Sequence, residues 1–326
     1  MTPMTSRSRA SQALHIALEE ILVCPGCLAA QWQLTEADVS CRACHRTYPL
    51  VEGIPVLLPD APSAQESERQ FRNRIARESM QQDHLSIDEI AGPYHCLPVM
   101  RARARRFRRQ FAPQDWILDI GVGTGWPWSD LPPGARILGV DMSLGNLLVG
   151  RRLFGDYQQN VVLVCADASR LPVRDHAMAG VWSVQAFQHF PDVVLVGAQT
   201  ELARVLRERY VMEIYSFMPA LALRLIGRLK GHPLQRQGQW GEMELRRLPP
   251  RAWAEVWRNF RNGTTHITHG YSELFFHPSL GWQPRRYPLA LEQCLATCLP
   301  WLAGLFAHQA HVRIEGRIPL IRTVIP

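Results

Sequence analysis

Short apolar runs separated by helix-length segments dominate the chain from about residue 116 onwards. Five of these runs have the length and the β-branched content of buried strands: Trp116–Ile120, Arg136–Val140, Val161–Val164, Gly180–Val184 and Tyr210–Ser216. Strands that alternate with helical segments indicate βαβ units, and such units assemble into a parallel sheet. The pattern therefore predicts an α/β fold.

The stretch before the first predicted strand is polar and highly charged. Ala61–Ser79 carries several glutamates and arginines after Pro62, which predicts a linker that passes into a helix. Arg101–Gln110 is then predicted to be the last helix before the sheet. This helix carries six arginines: Arg101, Arg103, Arg105, Arg106, Arg108 and Arg109.

Four cysteines near the N-terminus have the spacing of a metal site. Cys24 and Cys27 form one Cys-x-x-Cys pair, thirteen residues follow, and Cys41 and Cys44 form the second pair. Two such pairs bring four thiolates to one tetrahedral zinc ion, and a closed site of this kind is structural rather than catalytic. We expect the metal to supply folding energy, because the segment is too short to bury enough surface by itself.

Three other cysteines are interpreted as packing residues. Cys165 ends an apolar run and is expected in the core of a strand. Cys294 and Cys298 are four residues apart on an apolar helical segment, which core packing explains more simply than a second metal site.

The sequence around the first four cysteines is similar to the zinc ribbon of bacterial short proteins and of methyltransferase-activator subunits. The similarity rests on Ile21–Cys27, Cys41–Leu50 and Val51–Leu58, with the closing pattern Tyr-Pro-x-x-x-Gly-Ile-Pro-x-Leu-Leu. It covers about 40 residues. The same ribbon is found fused ahead of methyltransferase domains.

A glycine-rich turn follows the first predicted strand. Leu118–Gly125 reads Leu-Asp-Ile-Gly-Val-Gly-Thr-Gly, and glycines there let the backbone turn sharply and approach a ligand. Asp141 ends the second predicted strand, where a carboxylate can accept hydrogen bonds from both hydroxyls of a ribose. Asp167 follows the third strand, where it could receive an adenine amino hydrogen or cap a helix. The three features in this order indicate a cofactor site.

Residues 98–217 resemble class I S-adenosylmethionine-dependent methyltransferases. The resemblance is to the group that has the motifs Asp-x-Gly-x-Gly-x-Gly, Gly-x-Asp and Asp-Ala-x-x-Leu-Pro, followed by a strand that ends near His-x-x-Asp. The resemblance implies a Rossmann-like, mostly parallel sheet of seven strands, with S-adenosyl-L-methionine over the carboxyl ends of strands one to four. It places the methionine part at Asp119, Gly121, Gly123 and Gly125, the ribose at Asp141 with Met142 beside it, the adenine at Asp167 and Ala168, and the methyl group at Gln185.

Two features depart from the family pattern. Arg204–Tyr215 lacks the usual Pro-Gly-Gly turn before the fifth strand, which concerns the edge of the sheet and not the cofactor site. Trp126 and Trp128 follow the glycine loop directly, and we interpret them as packing against the neighbouring helix rather than as a wall beside the cofactor.

Methyl transfer from a sulfonium is an in-line displacement in which the protein mainly supplies proximity and alignment. A general base is needed where the nucleophile is a protonated hydroxyl or amine. His189 is the candidate base with Asp192 behind it, and a structural role for His189 stays open. The stretch after the fourth strand has no Asn-Pro-Pro-Tyr or Asp-Pro-Pro-Tyr tetrad and no Pro-Cys nucleophile. Amino-group methylation of that type and cytosine C5 methylation are therefore disfavoured.

The acceptor class rests on the C-terminal part of the chain. Tyr271–His277 and Leu289–Phe306 are rich in apolar and aromatic residues, which predicts a lid or pocket for a small-molecule or lipid-like acceptor. Additional core and a homodimer surface are open alternatives. The basic helix Ala220–Lys230 would suit a peripheral membrane contact.

RNA is the alternative acceptor. Guanine methyltransferases of large-subunit ribosomal RNA that carry a zinc ribbon share this domain order, so the ribbon and the Arg-rich helix would grip the phosphates of ribosomal or transfer RNA. The net charge of +7 fits RNA, but all 36 basic residues except Lys230 are arginines, which indicates compositional bias. A non-catalytic S-adenosylmethionine-binding module is the second alternative, and the intact glycine loop and Asp141 argue against it.

The length of 326 residues suggests about two domains, with 47% apolar and 20% charged residues. We assign residues 18–60 to the zinc ribbon, 61–100 to a linker and leading helices, 101–250 to the methyltransferase domain and 251–326 to a C-terminal substrate or lid extension. No apolar run is long enough for a membrane span and the N-terminus shows no secretory signal, so we expect a cytoplasmic protein.

Overall fold

The N-terminal part of the chain is a helix followed by a small antiparallel sheet. Helix α1 (Ser6–Glu20) leads into strands β1 (Trp32–Leu34), β2 (Asp38–Cys41), β3 (Thr47–Val51) and β4 (Ile54–Pro55), which pair in sequence order. We call residues 21–58 the ribbon. The computed structural model describes residues 6–59, 64–81, 97–128, 131, 134–153, 161–218, 220–229, 237–240, 243–258, 260, 264–275 and 287–317.

A seven-stranded sheet forms the centre of the larger part of the protein. Its strands are β5 (Trp116–Ile120), β6 (Arg136–Asp141), β7 (Val161–Cys165), β8 (Met178–Val184), β9 (Leu206–Phe217), β12 (Thr264–Ser272) and β13 (Gln309–Arg317). Their order is β12-β13-β9-β8-β5-β6-β7, and β13 runs antiparallel to both of its neighbours. This mostly parallel sheet confirms the predicted α/β class.

The central strands are buried and mostly apolar because both faces of the sheet are covered. Every residue of β5 and β7 is buried, as is usual for parallel strands with helices on both sides. Strand β9 differs from the prediction, since it begins at Leu206 rather than Tyr210. Helix α5 (Asp192–Val205) runs into it without a turn, and the pairing of β8 with β9 shifts register between Met178 and Gly180 to accommodate the extra residues.

Helices cover the sheet from both sides. Besides α1 and α5, the described helices are α2 (Glu66–Met80), α3 (Leu97–Arg108), α4 (Leu144–Leu153), α6 (Leu221–Leu229), α7 (Pro250–Trp257), α8 (Leu289–Cys298) and α9 (Pro300–Phe306). Strands β10 (Gln237–Trp240) and β11 (Met243–Arg246) form a separate hairpin. One core cluster joins α1, the ribbon, α5 and α7 to the sheet, and a second joins α3 and α4 to it. The ribbon also contributes Ile54 of β4 to the second cluster, so it shares hydrophobic core with both faces of the sheet.

Backbone hydrogen bonds also join the ribbon to the sheet, at two points that lie on either side of the segment after β7. At the start of this segment, the N–H of Leu57 donates to the carbonyl oxygen of Cys165 at 2.8 Å. At the end of the segment, the N–H of Val23 donates to the carbonyl oxygen of Pro172 at 3.0 Å, and the N–H of Arg174 donates to the carbonyl oxygen of Ile21 at 2.8 Å. The ribbon therefore holds both ends of the loop that carries Asp167.

The cysteines outside the ribbon follow the predictions only in part. Cys165 is buried at the end of β7, as expected for a strand core. Cys294 and Cys298 are both exposed on α8, so the prediction that they pack in a core is wrong. Helix α8 uses another face for its buried contact, the one that carries Glu292.

A buried ion pair fastens α8 to α3. The carboxylate of Glu292 pairs with the guanidinium of Arg103, accepts a hydrogen bond from the hydroxyl of Tyr287, and accepts another from the N–H of Leu274 at 3.1 Å. Both charged side chains are almost fully buried. The carboxylate charge and burial together raise the pKa of Tyr287, which keeps its hydroxyl a donor.

Replacing Glu292 by alanine is expected to cost about 3–5 kcal/mol of the free energy of unfolding, because Arg103 would keep its charge in the interior without its ion-pair partner. Glu66→Ala is the matched control, since the Glu66–Arg69 pair on α2 is partly exposed and worth about 1 kcal/mol or less. Urea unfolding followed by tryptophan fluorescence measures both. Equal midpoints for the two variants would contradict the assignment.

Candidate functional site

The glycine loop after β5 has the backbone that its sequence requires. Gly121, Gly123 and Gly125 all have positive φ angles, of 66°, 56° and 73°. A Cβ at Gly121 would lie 2.2 Å from the Cβ of Ala186, whereas a Cβ at Gly123 would have nothing within 4 Å. Close packing therefore requires glycine at 121. The open space at Gly123 lies where a ligand can approach the backbone.

Asp141 connects the end of β6 to this loop. One carboxylate oxygen accepts the N–H of Gly123 at 2.9 Å, and the other accepts the N–H of Ser143 at 2.8 Å. Burial raises the pKa of the carboxyl group, while the charge of Arg72 and the two N–H donors act in the opposite direction. Met142, the next residue, accepts a weak hydrogen bond from the Cys165 thiol through its carbonyl oxygen, at 3.6 Å.

The segment after β7 brings Asp167 and Ala168 to the same edge of the sheet. The Asp167 carboxylate accepts hydrogen bonds from the N–H and the hydroxyl of Ser169, both at 2.7 Å. Asp167 and Ala168 are both buried. This carboxylate organises its own turn, but no helix begins there, so the helix-capping alternative is not what the structure shows. Its contact with an adenine stays a prediction.

Asp119 lies beneath the glycine loop. Its carboxylate accepts the indole N–H of Trp128 at 2.6 Å, and burial raises its pKa well above the ordinary range. Trp126–Trp128 form a short 3-10 turn in which both tryptophans are buried. They pack against α3 and Trp182, in agreement with the packing interpretation. The hydrogen bond from Trp128 thus fixes the orientation of the Asp119 carboxylate.

Gln185 directly follows β8 in a strained conformation. Its φ is 56°, and its N–H donates to the carbonyl oxygen of Tyr215 at 2.7 Å. Its side-chain amide nitrogen is buried and has no hydrogen-bond partner among the described residues. Buried donors are rarely left without a partner. Gln185 adjoins Ala186, which contacts Gly121, so the backbone of Gln185 lies beside the glycine loop.

His189 and Asp192 follow in the next turn and differ in environment. His189 is buried, and the amide nitrogen of Gln188 lies 3.2 Å from its Nε2. The amide oxygen of Gln188 accepts the N–H of Phe217 at 2.5 Å, so the amide nitrogen donates and Nε2 accepts. Asp192 is 89% exposed and pairs with Arg246 of β11 at 2.7 Å. Neither residue's catalytic role is tested by these contacts.

Helix α2 contributes side chains that the sequence analysis did not assign. The amide oxygen of Asn73 accepts the hydroxyl of Ser143 and the N–H of Gly145, both at 2.8 Å. Glu68 is buried and pairs with Arg72 at 2.8 Å, and its pKa is raised by burial and by the charge of Asp141. Helix α2 therefore covers the carboxyl end of β6. The four-residue spacing of Glu68 and Arg72 indicates a helix in the sequence. It does not indicate which part of the protein that helix covers.

The four ribbon cysteines converge on one point. Their Sγ atoms all lie within 4.8 Å of one another, with 3.6 Å between Cys24 and Cys44 and between Cys27 and Cys41. A regular tetrahedron of zinc–sulfur bonds gives about 3.8 Å between sulfurs. The residues present therefore fit the predicted metal site.

The two halves of this cluster have the same backbone geometry. Leu28 and His45, each directly after the second cysteine of a pair, both have a φ of 60°. Their N–H groups donate to the carbonyl oxygens of Cys24 at 2.7 Å and of Cys41 at 2.9 Å. The hydroxyl of Tyr48 lies 3.1 Å from the Sγ of Cys24, where it can donate to a thiolate.

Comparisons with known proteins find similarities to methyltransferases. Residues 117–209 match the family model described as a methyltransferase domain. A malonyl-[acyl-carrier protein] O-methyltransferase of Gallionella capsiferriformans is 31% identical over 35% of this chain and 42% of its own length. A demethylmenaquinone methyltransferase of Symbiobacterium thermophilum is 30% identical over 37% of this chain and 53% of its own. The chain therefore spans about half the length of these relatives.

Two further similarities concern the ribbon and the fold. A UPF0434 protein of Methylobacillus flagellatus is 43% identical over 44 residues, which are 13% of this chain and 73% of that short protein. The crystal structure of the [4+2]-cyclase SpnF superposes with a TM-score of 0.50 at 16% identity, covering 80% of this chain and 98% of that one. At this level of identity the second similarity concerns the fold alone.

Proposed function

Because the chain carries a class I methyltransferase domain with its fold and its glycine loop, we propose that it transfers the methyl group of S-adenosyl-L-methionine to a small-molecule or lipid-like acceptor. The observation that carries the proposal is the arrangement around Gly123: open space over the loop, the Asp141 carboxylate beneath it, and the unpartnered amide of Gln185 beside it. These groups come from the ends of three neighbouring strands.

Each residue then has a role in holding the cofactor. The glycine loop and Asp119 take the methionine part, Asp141 accepts the ribose hydroxyls, and Asp167 with Ala168 contacts the adenine. Gln185 donates its free amide hydrogen near the reacting centre. Bound S-adenosylmethionine supplies an electrophilic methyl group on a sulfonium, and the protein's work is to align the acceptor in line with it.

Where the acceptor is a hydroxyl or an amine, we assign its proton to Nε2 of His189. The single in-plane lone pair of that nitrogen accepts the Gln188 amide hydrogen in this structure, so the acceptor's hydrogen has to take the place of that amide hydrogen before the proton is transferred. Gln188 in turn is fixed by the N–H of Phe217, which sets the orientation of the imidazole. Asp192 pairs with Arg246 instead, and we assign it a part in holding β11 near this turn.

The class of acceptor is supported by the relatives and by the Arg-rich helix. The two matched relatives are named for an acyl-carrier-bound malonyl group and for demethylmenaquinone. On α3, Arg103 is committed to Glu292, and Arg108 donates to the carbonyl oxygens of Phe111 and Pro113. Two of the six arginines are therefore not available to phosphates, which favours the small-molecule or lipid-like acceptor over RNA.

We further propose that the four ribbon thiolates hold a structural Zn²⁺. The convergence of the sulfur atoms and the equal geometry of the two Cys-x-x-Cys turns support this proposal. Four thiolates leave no open position on zinc, so the metal holds the ribbon together and takes no part in the reaction.

The zinc-loaded full chain is expected to bind S-adenosylmethionine saturably in a calorimetric titration and to label an acceptor when the methyl group is isotopically marked. Organic extracts and total RNA from a bacterial lysate are offered separately, and label is expected in the organic fraction. Label confined to RNA would favour the alternative acceptor. Tight binding without transfer to either fraction would favour a non-catalytic module, and no binding by the folded protein would remove the proposal.

A further inference from the structure

Helix α6 turns an apolar stripe towards the solvent. Leu221, Leu225 and Leu229 repeat at four-residue intervals, so they lie along one side of the helix. All three are exposed, and Leu229 is 88% exposed. A helix of a water-soluble protein normally turns such a stripe towards the core, so this side of α6 is arranged for contact with something apolar.

Helices α8 and α9 extend this surface without adding charge to it. Residues 289–306 contain a single charged residue, Glu292, and it is buried against Arg103. Trp301 and Phe306 of α9 are exposed, Trp301 by 68%. Helix α9 packs against α6. We call Leu221, Leu225, Leu229, Trp301 and Phe306 together the apolar face.

Positive charge borders the apolar face. Arg228 is exposed on α6 between the levels of Leu225 and Leu229. From Met218 to Gln239 the sequence has four basic residues and no acidic one. They are Arg224, Arg228, Lys230 and Arg236, and among these the structure describes the side chain of Arg228 alone. An apolar stripe beside positive charge complements an anionic lipid surface.

The apolar face lies at the same edge of the sheet as the candidate site. Helix α6 follows the carboxyl end of β9, and α9 ends just before β13, whose first residue Gln309 pairs with Phe217. The N–H of Met218 donates to the carbonyl oxygen of His308 at 3.0 Å, which joins the two connections. Gln185 hydrogen-bonds to Tyr215, only two residues before the end of β9.

We propose that the apolar face docks on an anionic membrane surface, with α6 and α9 lying in the plane of the interface. In the described part of the chain no helix is long and apolar enough to cross a bilayer, so the contact is with one leaflet. An exposed tryptophan suits the headgroup level of a membrane. A second copy of the chain fits less well, because a two-fold contact would bring the arginines of both α6 helices together. Docking would place a lipid-like acceptor at the candidate site.

Vesicle co-sedimentation of the zinc-loaded full chain, without cofactor or acceptor, tests this docking separately from methyl transfer. Phosphatidylcholine vesicles with and without about one third phosphatidylglycerol are compared at low and high salt. The protein is expected to bind the anionic vesicles, and Leu225→Ser/Trp301→Ser to bind them at least about tenfold more weakly. Val193→Ser/Val196→Ser is the matched control, because these valines are equally exposed on α5.

Three results would overturn the proposal. The first is that the wild type sediments with neither type of vesicle. The second is that the α5 control loses binding as much as the α6–α9 variant, with both variants folded by circular dichroism. The third is that light scattering finds a dimer which only the Leu225→Ser/Trp301→Ser variant dissociates, and this would assign the apolar face to a second copy. Equal binding to neutral vesicles would remove the anionic part of the proposal.

Discussion

Stripping the metal from Cys24, Cys27, Cys41 and Cys44 is expected to unfold the ribbon and to weaken S-adenosylmethionine binding at least about tenfold. Zinc binding to small four-ligand motifs has an apparent free energy of about 10–16 kcal/mol, most of which is folding free energy. The ribbon has four short strands and shares its core with α1 and the sheet. Without zinc, neighbouring thiolates would repel or take up protons, and the two cysteine turns would separate.

The effect on the cofactor follows from the two backbone junctions. The backbone N–H of Leu57 hydrogen-bonds to Cys165, just before the turn of Asp167. The backbone N–H of Val23 hydrogen-bonds to Pro172, just after that turn. A disordered ribbon would release both ends of this turn. The cost of ordering it again would then be subtracted from the binding free energy of the cofactor, and about 1.4 kcal/mol corresponds to a tenfold loss of affinity.

Chelator-treated protein and Cys41→Ser are measured beside the zinc-loaded wild type, by thermal unfolding and by calorimetric titration. Cys294→Ser is the matched control, because it removes an exposed cysteine outside the ribbon and is expected to change neither quantity. Should the metal-free protein melt and bind as the loaded protein does, the four thiolates would not hold a structural metal. Loss of stability with unchanged affinity would disprove only the coupling to the Asp167 turn.

Asp141→Ala is expected to lower the affinity for S-adenosylmethionine at least about 100-fold. The variant removes the proposed acceptor for two ribose hydroxyls, and hydrogen bonds to a charged group contribute about 1.5–3 kcal/mol each. It also frees the N–H of Gly123, which loses its partner in the loop. The buried N–H of Ser143 loses its acceptor as well, so we also expect a loss of stability of about 1–3 kcal/mol.

Calorimetric titration of folded Asp141→Ala against the wild type measures this loss, and circular dichroism confirms the fold. Asp175→Ala is the control, since Asp175 is exposed and pairs with Arg204 on the other side of the Asp167 segment. Wild-type affinity in Asp141→Ala would show that the cofactor does not use this carboxylate. If that variant also still transferred methyl groups, the assigned ribose site would be wrong and the proposed reaction would stand.

Much of the candidate site could be predicted because its signals are local in sequence. A run such as Val161–Cys165 is apolar throughout because both faces of the strand are buried, and this is visible without a structure. Glycine at 121 is required by its own φ angle and by the closeness of Ala186. The four ribbon cysteines have a spacing that only a small number of sites explain.

The parts that could not be predicted depend on which surfaces meet. Glu68, Arg72 and Asn73 look like ordinary residues of a solvated helix, and only the fold places that helix against Asp141. Arg103 reads as one of six exposed arginines, yet its partner Glu292 is 189 positions away in the chain. Cys294 and Cys298 looked like core residues because an apolar helix does not show which side it buries.

The sequence by itself determined the α/β class, the order of the strands along the chain, the glycine loop with Asp141, and the cluster of four cysteines. These depend on side-chain periodicity, on local backbone conformation and on short spacings. Only the tertiary structure decided that α2 covers the site, that the ribbon holds both ends of the Asp167 turn, and that the apolar face of α6 and α9 is exposed. Contacts between distant segments depend on the shape and burial of whole elements, and no local pattern records them.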